Sequence, residues 1–242
     1  MPVECPVVGK QYPAFTIVGM YSAASDVIQH VGLLQRATTY AGAELAVYDQ
    51  QPPPRLSANA AATMPSDLLG YVDLDDAEIE GFQVEIGKLR TMFEAQRLTR
   101  EKTYTARPPI EPQPADAGET VLYYRFSCVG FVQHCYRRVL GRSLVDEGAL
   151  PTVTLDEILA VWLAARNPER RVRMGLPPPG PWRVLLPAHV FHAIDKAGAR
   201  PFQLPFRAGP QHAKFPKPRP PAAAPPPASP PAATPSSAPP AA

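Results

Sequence analysis

The sequence has few cysteines, little net charge and no long hydrophobic run, and each of these features excludes a class of protein. Its three cysteines, Cys5, Cys128 and Cys135, contain no C-x-x-C pair and cannot form a closed disulfide framework. The formal net charge of +2 indicates neither a nucleic-acid partner nor an anionic membrane partner. No run of 18 apolar residues is present, so no membrane span is predicted.

The first residues, Met-Pro-Val-Glu-Cys-Pro, also lack a basic stretch followed by an apolar run. A signal peptide is therefore not predicted, and the expected location is the cytoplasm. Nothing in the sequence calls for a metal ion or an organic cofactor. A chain of 242 residues is long enough to bury a sizeable core as one domain.

Proline, in contrast, is abundant, with 33 residues. Many of them lie between residues 215 and 242, a stretch made almost entirely of Pro, Ala, Ser and Thr. Such a segment has too little apolar surface to offset its ordering entropy. We therefore predict a folded domain over residues 1–213 and a disordered, proline- and alanine-rich tail over residues 214–242. An SH3-type partner for Lys217-Pro-Arg-Pro-Pro221 is the alternative role for this tail.

The stretch around Cys128 predicts a helix. Ser127 suits the N-cap, and Gly141 suits the C-terminal end. Between them, apolar side chains recur at helical spacing, namely Cys128, Phe131, Val132, Cys135, Tyr136 and Val139. Gly130 costs the helix about 1 kcal/mol relative to alanine, which suggests that another backbone or a substrate approaches its first turn.

Cys128 would open this helix, and two interpretations of it stay open. The positive end of the helix dipole favours the thiolate, which is the form that attacks carbonyl groups. Cysteine is also among the most often buried residue types, so Cys128 on the apolar stripe is equally compatible with a core side chain.

The N-terminal region contains three segments that decide the fold. Residues 14–22 and 43–50 read as strands. Residues 27–35 are ambiguous between a strand and a helix capped by Ser25 or Asp26. The helix would complete a β-α-β unit typical of nucleotide binding, although no G-x-G-x-x-G follows the first strand. Gly32 favours the strand, because glycine suits a close approach between strands better than the middle of a helix.

Residues 55–118 are predicted to be an inserted segment. Within it, residues 73–80 indicate a solvated acidic face, Glu85 to Thr99 predicts a helix, and residues 106–118 form a proline-rich connector. After the Cys128 helix, Thr154 and Glu157 form a capping box that starts another helix. A last short helix begins at Pro187.

A nucleophilic thiol needs a base within hydrogen-bond reach, and histidine is the usual choice. His134 lies six residues after Cys128 in the same helix and so points away from it, while His212 lies at the edge of the tail. The candidates are therefore His30 and the pair His189 and His192.

The stretch Ser127-Cys-Val-Gly-Phe-Val-Gln-His-Cys-Tyr-Arg137 resembles the nucleophile helix of NlpC-type papain-like cysteine hydrolases. In the circularly permuted branch, which includes the lecithin retinol acyltransferases, the histidine strand precedes the cysteine. Here His30-Val-Gly-Leu-Leu34 matches that strand, and residues 43–50 correspond to the next one. The family often places a histidine there, where this chain has Tyr48-Asp49.

The resemblance implies an α+β, papain-like fold in which a small antiparallel sheet packs on the nucleophile-bearing helix. It implies Cys128 as nucleophile, His30 as base and Asp49 as the residue that orients the imidazole, with Tyr48 as the alternative third residue. In the unpermuted order, His189 would be the base instead.

The reaction implied is hydrolysis or acyl transfer on an amide or ester, through a thioester. The acyl substrate would be a peptide, a protein or a lipid. A non-catalytic binding module of the same or another α/β fold is the alternative.

Overall fold

A computed structural model describes residues 3–23, 26–50, 58–95, 104–108, 110–114, 122–198 and 204–218. The fold is α+β, as predicted, with one large antiparallel sheet and several helices. None of the helices in these ranges combines the length and apolarity needed to cross a bilayer. Residues 219–242 lie outside the described residues, so disorder and an SH3-type partner in this part of the tail stay predictions.

Six strands form the large sheet, in the order β1-β8-β3-β4-β6-β7, and every neighbouring pair is antiparallel. These strands are β1 (Val3–Glu4), β3 (Ile17–Tyr21), β4 (Ile28–Leu34), β6 (Leu45–Gln50), β7 (Ala58–Met64) and β8 (Leu68–Gly70). Three two-stranded ribbons accompany it: β2 (Gln11–Tyr12) with β5 (Thr38–Thr39), β9 (Ile110–Pro114) with β10 (Leu122–Arg125), and β11 (Thr152–Val153) with β12 (Trp182–Arg183).

Five α-helices lie in the described ranges: α1 (Asp76–Ala95), α2 (Cys128–Leu140), α3 (Leu155–Val161), α4 (Pro168–Arg173) and α5 (Pro187–Ala197). Short 3₁₀ turns follow α2 and α3 and precede the end of the described chain, at Glu147–Ala149, Leu163–Arg166 and Pro210–Ala213. The capping box at Thr154 is present, since Thr154 and Glu157 bond each other's backbone N–H groups. The proline in the first turn of α5 is likewise confirmed.

The ambiguous segment before Gln35 is a strand. Residues 28–34 pair with β3 on one side and with β6 on the other, so the helix of a nucleotide-binding β-α-β unit is excluded. A Cβ atom on Gly32 would lie only 2.9 Å from the Tyr48 carbonyl oxygen. The close approach of β4 and β6 at this point therefore explains the glycine.

Residues 55–118, predicted to be an insertion, contribute to the main sheet. It supplies the strands β7 and β8, of which β8 pairs with both β1 and β3. Helix α1 begins at Asp76, nine residues before the predicted start, and its described part ends at Ala95. The Asp75 and Glu78 side chains accept hydrogen bonds from each other's backbone N–H groups, a capping box within the stretch predicted to be a solvated acidic face.

The largest apolar cluster lies between α2, α1, α5 and the sheet, and it includes Cys128, Cys135 and Phe191. A second cluster gathers α3, the β11–β12 ribbon and two residues that follow α4, Met174 and Leu176, around Trp162. Val27, which precedes β4, belongs to this second cluster. The chain thus passes from the second cluster at Val27 into the first at Ile28, and the first cluster also contains Val31 on the other side of His30.

Residues 204–218 pack on this body, past the predicted domain boundary at residue 213. Phe215 is buried, and its ring lies 5.9 Å from that of Phe191. The Tyr21 hydroxyl donates to the Phe215 carbonyl at 3.1 Å, and the Cys5 thiol donates to the Pro218 carbonyl at 3.3 Å. A buried aromatic side chain thus anchors the start of a stretch whose composition alone indicated a tail.

We expect Phe215→Ala to lower the free energy of unfolding by about 3 kcal/mol, because truncating a buried phenylalanine removes its apolar contacts and leaves a cavity. Lys214→Ala, one residue earlier and exposed, should change it by less than about 0.5 kcal/mol. Urea unfolding of the two variants measures the difference. Equal stabilities would place the end of the folded core before residue 214.

Candidate active site

Helix α2 begins at Cys128. Ser127 is its N-cap, and the Ser127 hydroxyl accepts a hydrogen bond from the Gly130 N–H at 3.2 Å, as predicted. At the other end, Gly141 adopts a left-handed conformation with φ of 67°. The first N–H groups of a helix have no acceptor within the helix, and the cap here bonds only that of Gly130. The N–H groups of Cys128 and Val129 make no hydrogen bond with another described residue. The thiol thus sits beside free N–H donors at the positive end of a 13-residue helix.

The strands β4 and β6 bring His30 and Asp49 together. Asp49 pairs with Gly32 across the two strands, two residues along from His30. The His30 Nε2–H donates to Asp49 Oδ2 at 2.8 Å. The Asp49 side chain is only 1 % exposed and that of His30 is 12 % exposed, so this ion pair is largely shielded from water.

Cys128 completes the array. Burial by itself lowers the pKa of His30, but the charge of the Cys128 thiolate and hydrogen bonds with Asp49 and Cys128 raise it to about 10. Since Asp49 occupies Nε2, Nδ1 is the ring nitrogen left for the thiol. The negative charges of the thiolate and the carboxylate both favour the protonated form of the imidazole.

The two alternative residues lie elsewhere. Tyr48 is half-buried and packs against the main apolar cluster. His189 is fully buried at the start of α5, where its Nδ1 accepts a hydrogen bond from the Leu186 N–H at 3.3 Å. No hydrogen bond joins His189 to Cys128 in the part of the chain that the structure describes, and burial lowers the pKa of His189 to about 3.

The other histidines are engaged away from the thiol. His134 Nε2 bonds Glu85 Oε1 at 2.9 Å, and this hydrogen bond holds the pKa of Glu85 below its usual value. His192 Nε2 donates to the Lys214 carbonyl at 2.8 Å. His212 accepts from the Gly209 N–H at 2.8 Å through Nδ1. Of the five histidines, His30 is therefore the one that the structure brings to Cys128.

Two further features belong to the site: the burial of Cys128, which is the core position that the sequence left open, and a buried polar side chain that was not predicted. Cys128 is fully buried, so a substrate carbonyl can reach the sulfur only when part of the surrounding structure opens. Gln50, the residue after Asp49, is also fully buried, and neither atom of its carboxamide bonds another described residue. The sequence gives no signal for Gln50, because a glutamine at a strand end before prolines is typical of a surface position.

No group of three or more His, Cys, Asp or Glu side chains suited to a metal ion occurs among the residues of these ranges. The site combines a carboxylate, an imidazole and a thiol at a helix N-terminus, where the first backbone N–H groups bond no other described residue. Such an arrangement can generate a thiolate and deliver a proton. Comparisons with protein-family models, curated proteins and solved structures gave no match to this chain.

Proposed function

We propose that this protein is a cysteine-dependent hydrolase or acyltransferase that acts on an amide or ester through a thioester. The observation that supports the proposal most directly is the array of Asp49, His30 and Cys128, in which the neighbouring thiolate and carboxylate raise the pKa of the imidazole to about 10. A merely structural cysteine does not require a protonated histidine beside it.

In the proposed reaction, the Cys128 sulfur attacks the carbonyl carbon and forms a C–S bond, while the carbonyl π electrons move to the oxygen. Collapse of this intermediate breaks the C–N or C–O bond, and the leaving group takes the proton from His30. The neutral His30 then removes a proton from water or an acceptor alcohol, which attacks the thioester. The thiolate leaves, and His30 keeps the proton.

Asp49 would act as the positioning residue. Its carboxylate accepts from Nε2–H, which turns Nδ1 toward the sulfur and stabilises the imidazolium. The Cys128 N–H, which makes no hydrogen bond with another described residue, would help to hold the oxyanion.

We further propose that the fold is papain-like and circularly permuted. A histidine strand and a following carboxylate strand precede a cysteine at a helix start, and this helix packs against β4 and β6. This order is the one that the resemblance to the NlpC-type hydrolases implies. The acyl substrate would be a peptide, a protein or a lipid.

The test is the pH dependence of cysteine alkylation by iodoacetamide in the wild-type chain, with each cysteine quantified by peptide mass spectrometry. We expect Cys128 labelling to persist below pH 7. Burial raises the pKa of Cys5 and of Cys135, so their labelling should rise only above about pH 8. These two cysteines are the matched internal controls.

The shape of the profile matters more than the absolute rate, because Cys128 is buried. The fraction of molecules in which Cys128 is open to the reagent multiplies the labelling rate by the same factor at every pH. The change of the rate with pH therefore reports the thiolate fraction. A Cys128 profile that follows those of Cys5 and Cys135 would mean an ordinary thiol. The catalytic proposal would then fail.

The full burial of Cys128 favours a second candidate, a non-catalytic binding module. In that case the three polar groups would be a structural network in the core. The same experiment distinguishes the two candidates, because a structural network predicts a Cys128 profile that rises with pH in the same way as those of Cys5 and Cys135.

A further inference from the structure

Charge is distributed unevenly over the surface. Residues 163–183 contain five arginines and one acid, Glu169, whereas the whole chain has 24 basic and 22 acidic side chains. The rest of the chain is therefore slightly acidic. The small net charge that argued against an anionic partner conceals one strongly basic stretch.

This stretch folds into one continuous basic surface. The 3₁₀ turn at Leu163–Arg166 leads directly into α4 and packs against it. Arg107 lies at the other end of α4, since the Ala106 N–H donates to the Met174 carbonyl and a Cβ on Gly175 would lie 3.8 Å from the Arg107 side chain. Beyond it, Arg107 and Arg183 line a depression of about 500 Å³, whose other walls are Trp182 and the prolines 108, 177–179 and 181.

Five of the six arginines of this surface are exposed, and Arg171 is half-buried. Arg107, Arg166, Arg170 and Arg183 form no ion pair with an acidic side chain among the described residues. Arginines elsewhere do pair in this way, as Arg137 with Glu147, Arg138 with Glu85 and Arg207 with Asp146. Their positive charge thus remains available to a partner.

Two large aliphatic side chains stand among these arginines. Leu163 is 65 % exposed, and Val172, on α4, is 50 % exposed. Phosphate groups of a nucleic acid would gain little from such side chains. The interface of a bilayer accepts both kinds of group, because arginines meet lipid phosphates while aliphatic side chains enter the acyl boundary.

We propose that this surface docks the protein on anionic phospholipid membranes. Four unpaired arginines are within the number that binds acidic lipids, and the aliphatic pair supplies the contact that charge alone does not. The depression between Arg107 and Arg183 has room for a phospholipid headgroup. Docking does not depend on Cys128, so it stands or falls separately from the proposed catalysis.

The test is co-sedimentation of the full chain with vesicles of phosphatidylcholine, either alone or with about 30 % phosphatidylserine. We expect at least about tenfold stronger partitioning onto the anionic vesicles at roughly 100 mM salt, weakening at roughly 500 mM. The Cys128→Ala variant should bind equally well.

Two matched pairs of variants assign the surface. The first pair compares two double variants with the same change of charge. Replacing Arg166 and Arg170 with glutamate should lower partitioning onto anionic vesicles about tenfold. Replacing Arg36 and Arg142, which are exposed elsewhere, with glutamate should leave the wild-type partitioning unchanged.

The second pair tests the aliphatic contact at constant charge. Leu163→Ser with Val172→Ser should weaken binding severalfold, and Val8→Ser with Val84→Ser, which are also exposed, should not. Equal binding to both kinds of vesicle, or equal losses in test and control variants, would overturn the proposal. So would tighter capture by a DNA duplex or by polyglutamate in the same buffer, since the partner would then be a nucleic acid or an acidic protein.

Discussion

Replacing His30 with alanine should slow the alkylation of Cys128 at pH 6 by about 100-fold. Without the imidazolium, Cys128 should react as an ordinary cysteine, which is almost entirely in the unreactive thiol form at pH 6. Near pH 9 the difference should shrink, because the thiol then ionises without help. The measurement is the iodoacetamide rate at both pH values.

The alanine variant removes the hydrogen bond from His30 to the buried Asp49 carboxylate, and this loss also acts on the stability of the fold. His30→Gln is therefore the companion variant, since its amide can still donate to Asp49 but cannot carry the charge. Both variants should lose the same reactivity. If His30→Gln folds with a wild-type thermal transition and keeps wild-type labelling at pH 6, His30 has no part in activating Cys128.

His134→Gln is the control for the loss of an imidazole near α2. His134 lies in the same helix as Cys128 but bonds Glu85, so its replacement should leave the rate of Cys128 labelling within about twofold of the wild-type rate. An equal loss in this variant would indicate a general change in the helix rather than a thiolate–imidazolium pair.

The third residue of the array can be assigned in the same assay. Asp49→Asn keeps the size of the side chain and removes its charge, so the pKa of His30 should fall and labelling at pH 6 should slow by about tenfold. Tyr48→Phe should change nothing, because Tyr48 packs in the apolar cluster instead. The opposite result would make Tyr48 the orienting residue.

Local patterns in the sequence predicted those parts of the fold that neighbouring residues determine. The Ser127 cap, the capping box at Thr154 and the strand at His30 each follow from residues within a few positions of one another. The proximity of His30 to Cys128 did not follow from periodicity. It came from a resemblance in the order of two short motifs.

Sequence patterns did not predict the start of α1 or the burial of Phe215. The start of α1 is encoded by the Asp75–Glu78 capping box, which was interpreted as a solvated acidic run because the helical apolar stripe becomes clear only near Glu85. Phe215 lies in a proline-rich context, yet it is buried by contacts with Phe191 and Tyr21, which are distant in sequence. Composition describes an average over a segment and cannot reveal one anchoring side chain.

The second large effect is the loss of stability in acid, and it concerns His189. Burial lowers the pKa of His189 to about 3, with smaller contributions from His192 and His212. Its Nδ1 accepts the Leu186 N–H, so protonation there would break the bond that starts α5 and would bury a charge. In the unfolded chain the same imidazole titrates near pH 6.5. Between pH 3 and pH 6.5, therefore, His189 binds a proton in the unfolded state but not in the folded state.

The sign of the effect follows directly. The contribution of His189 to stability is fully present above about pH 6.5 and is lost as the pH falls toward 3. Each pH unit in this window is worth about 1.4 kcal/mol, so acidification from pH 6.5 to pH 4 should lower the free energy of unfolding by about 3 kcal/mol through His189 alone. That is a large part of the stability of an ordinary domain.

His189→Gln isolates this contribution, because glutamine does not titrate and its side-chain oxygen can still accept the Leu186 N–H as the N3 residue of a capping box. We expect urea unfolding of the variant to be less sensitive to pH than that of the wild type by the same 3 kcal/mol or so between pH 6.5 and pH 4. His192→Gln, on the same helix and half-buried, should keep most of the wild-type dependence. Parallel pH profiles for wild type and His189→Gln would show that His189 is accommodated in both protonation states, and that acid stability is set by other groups.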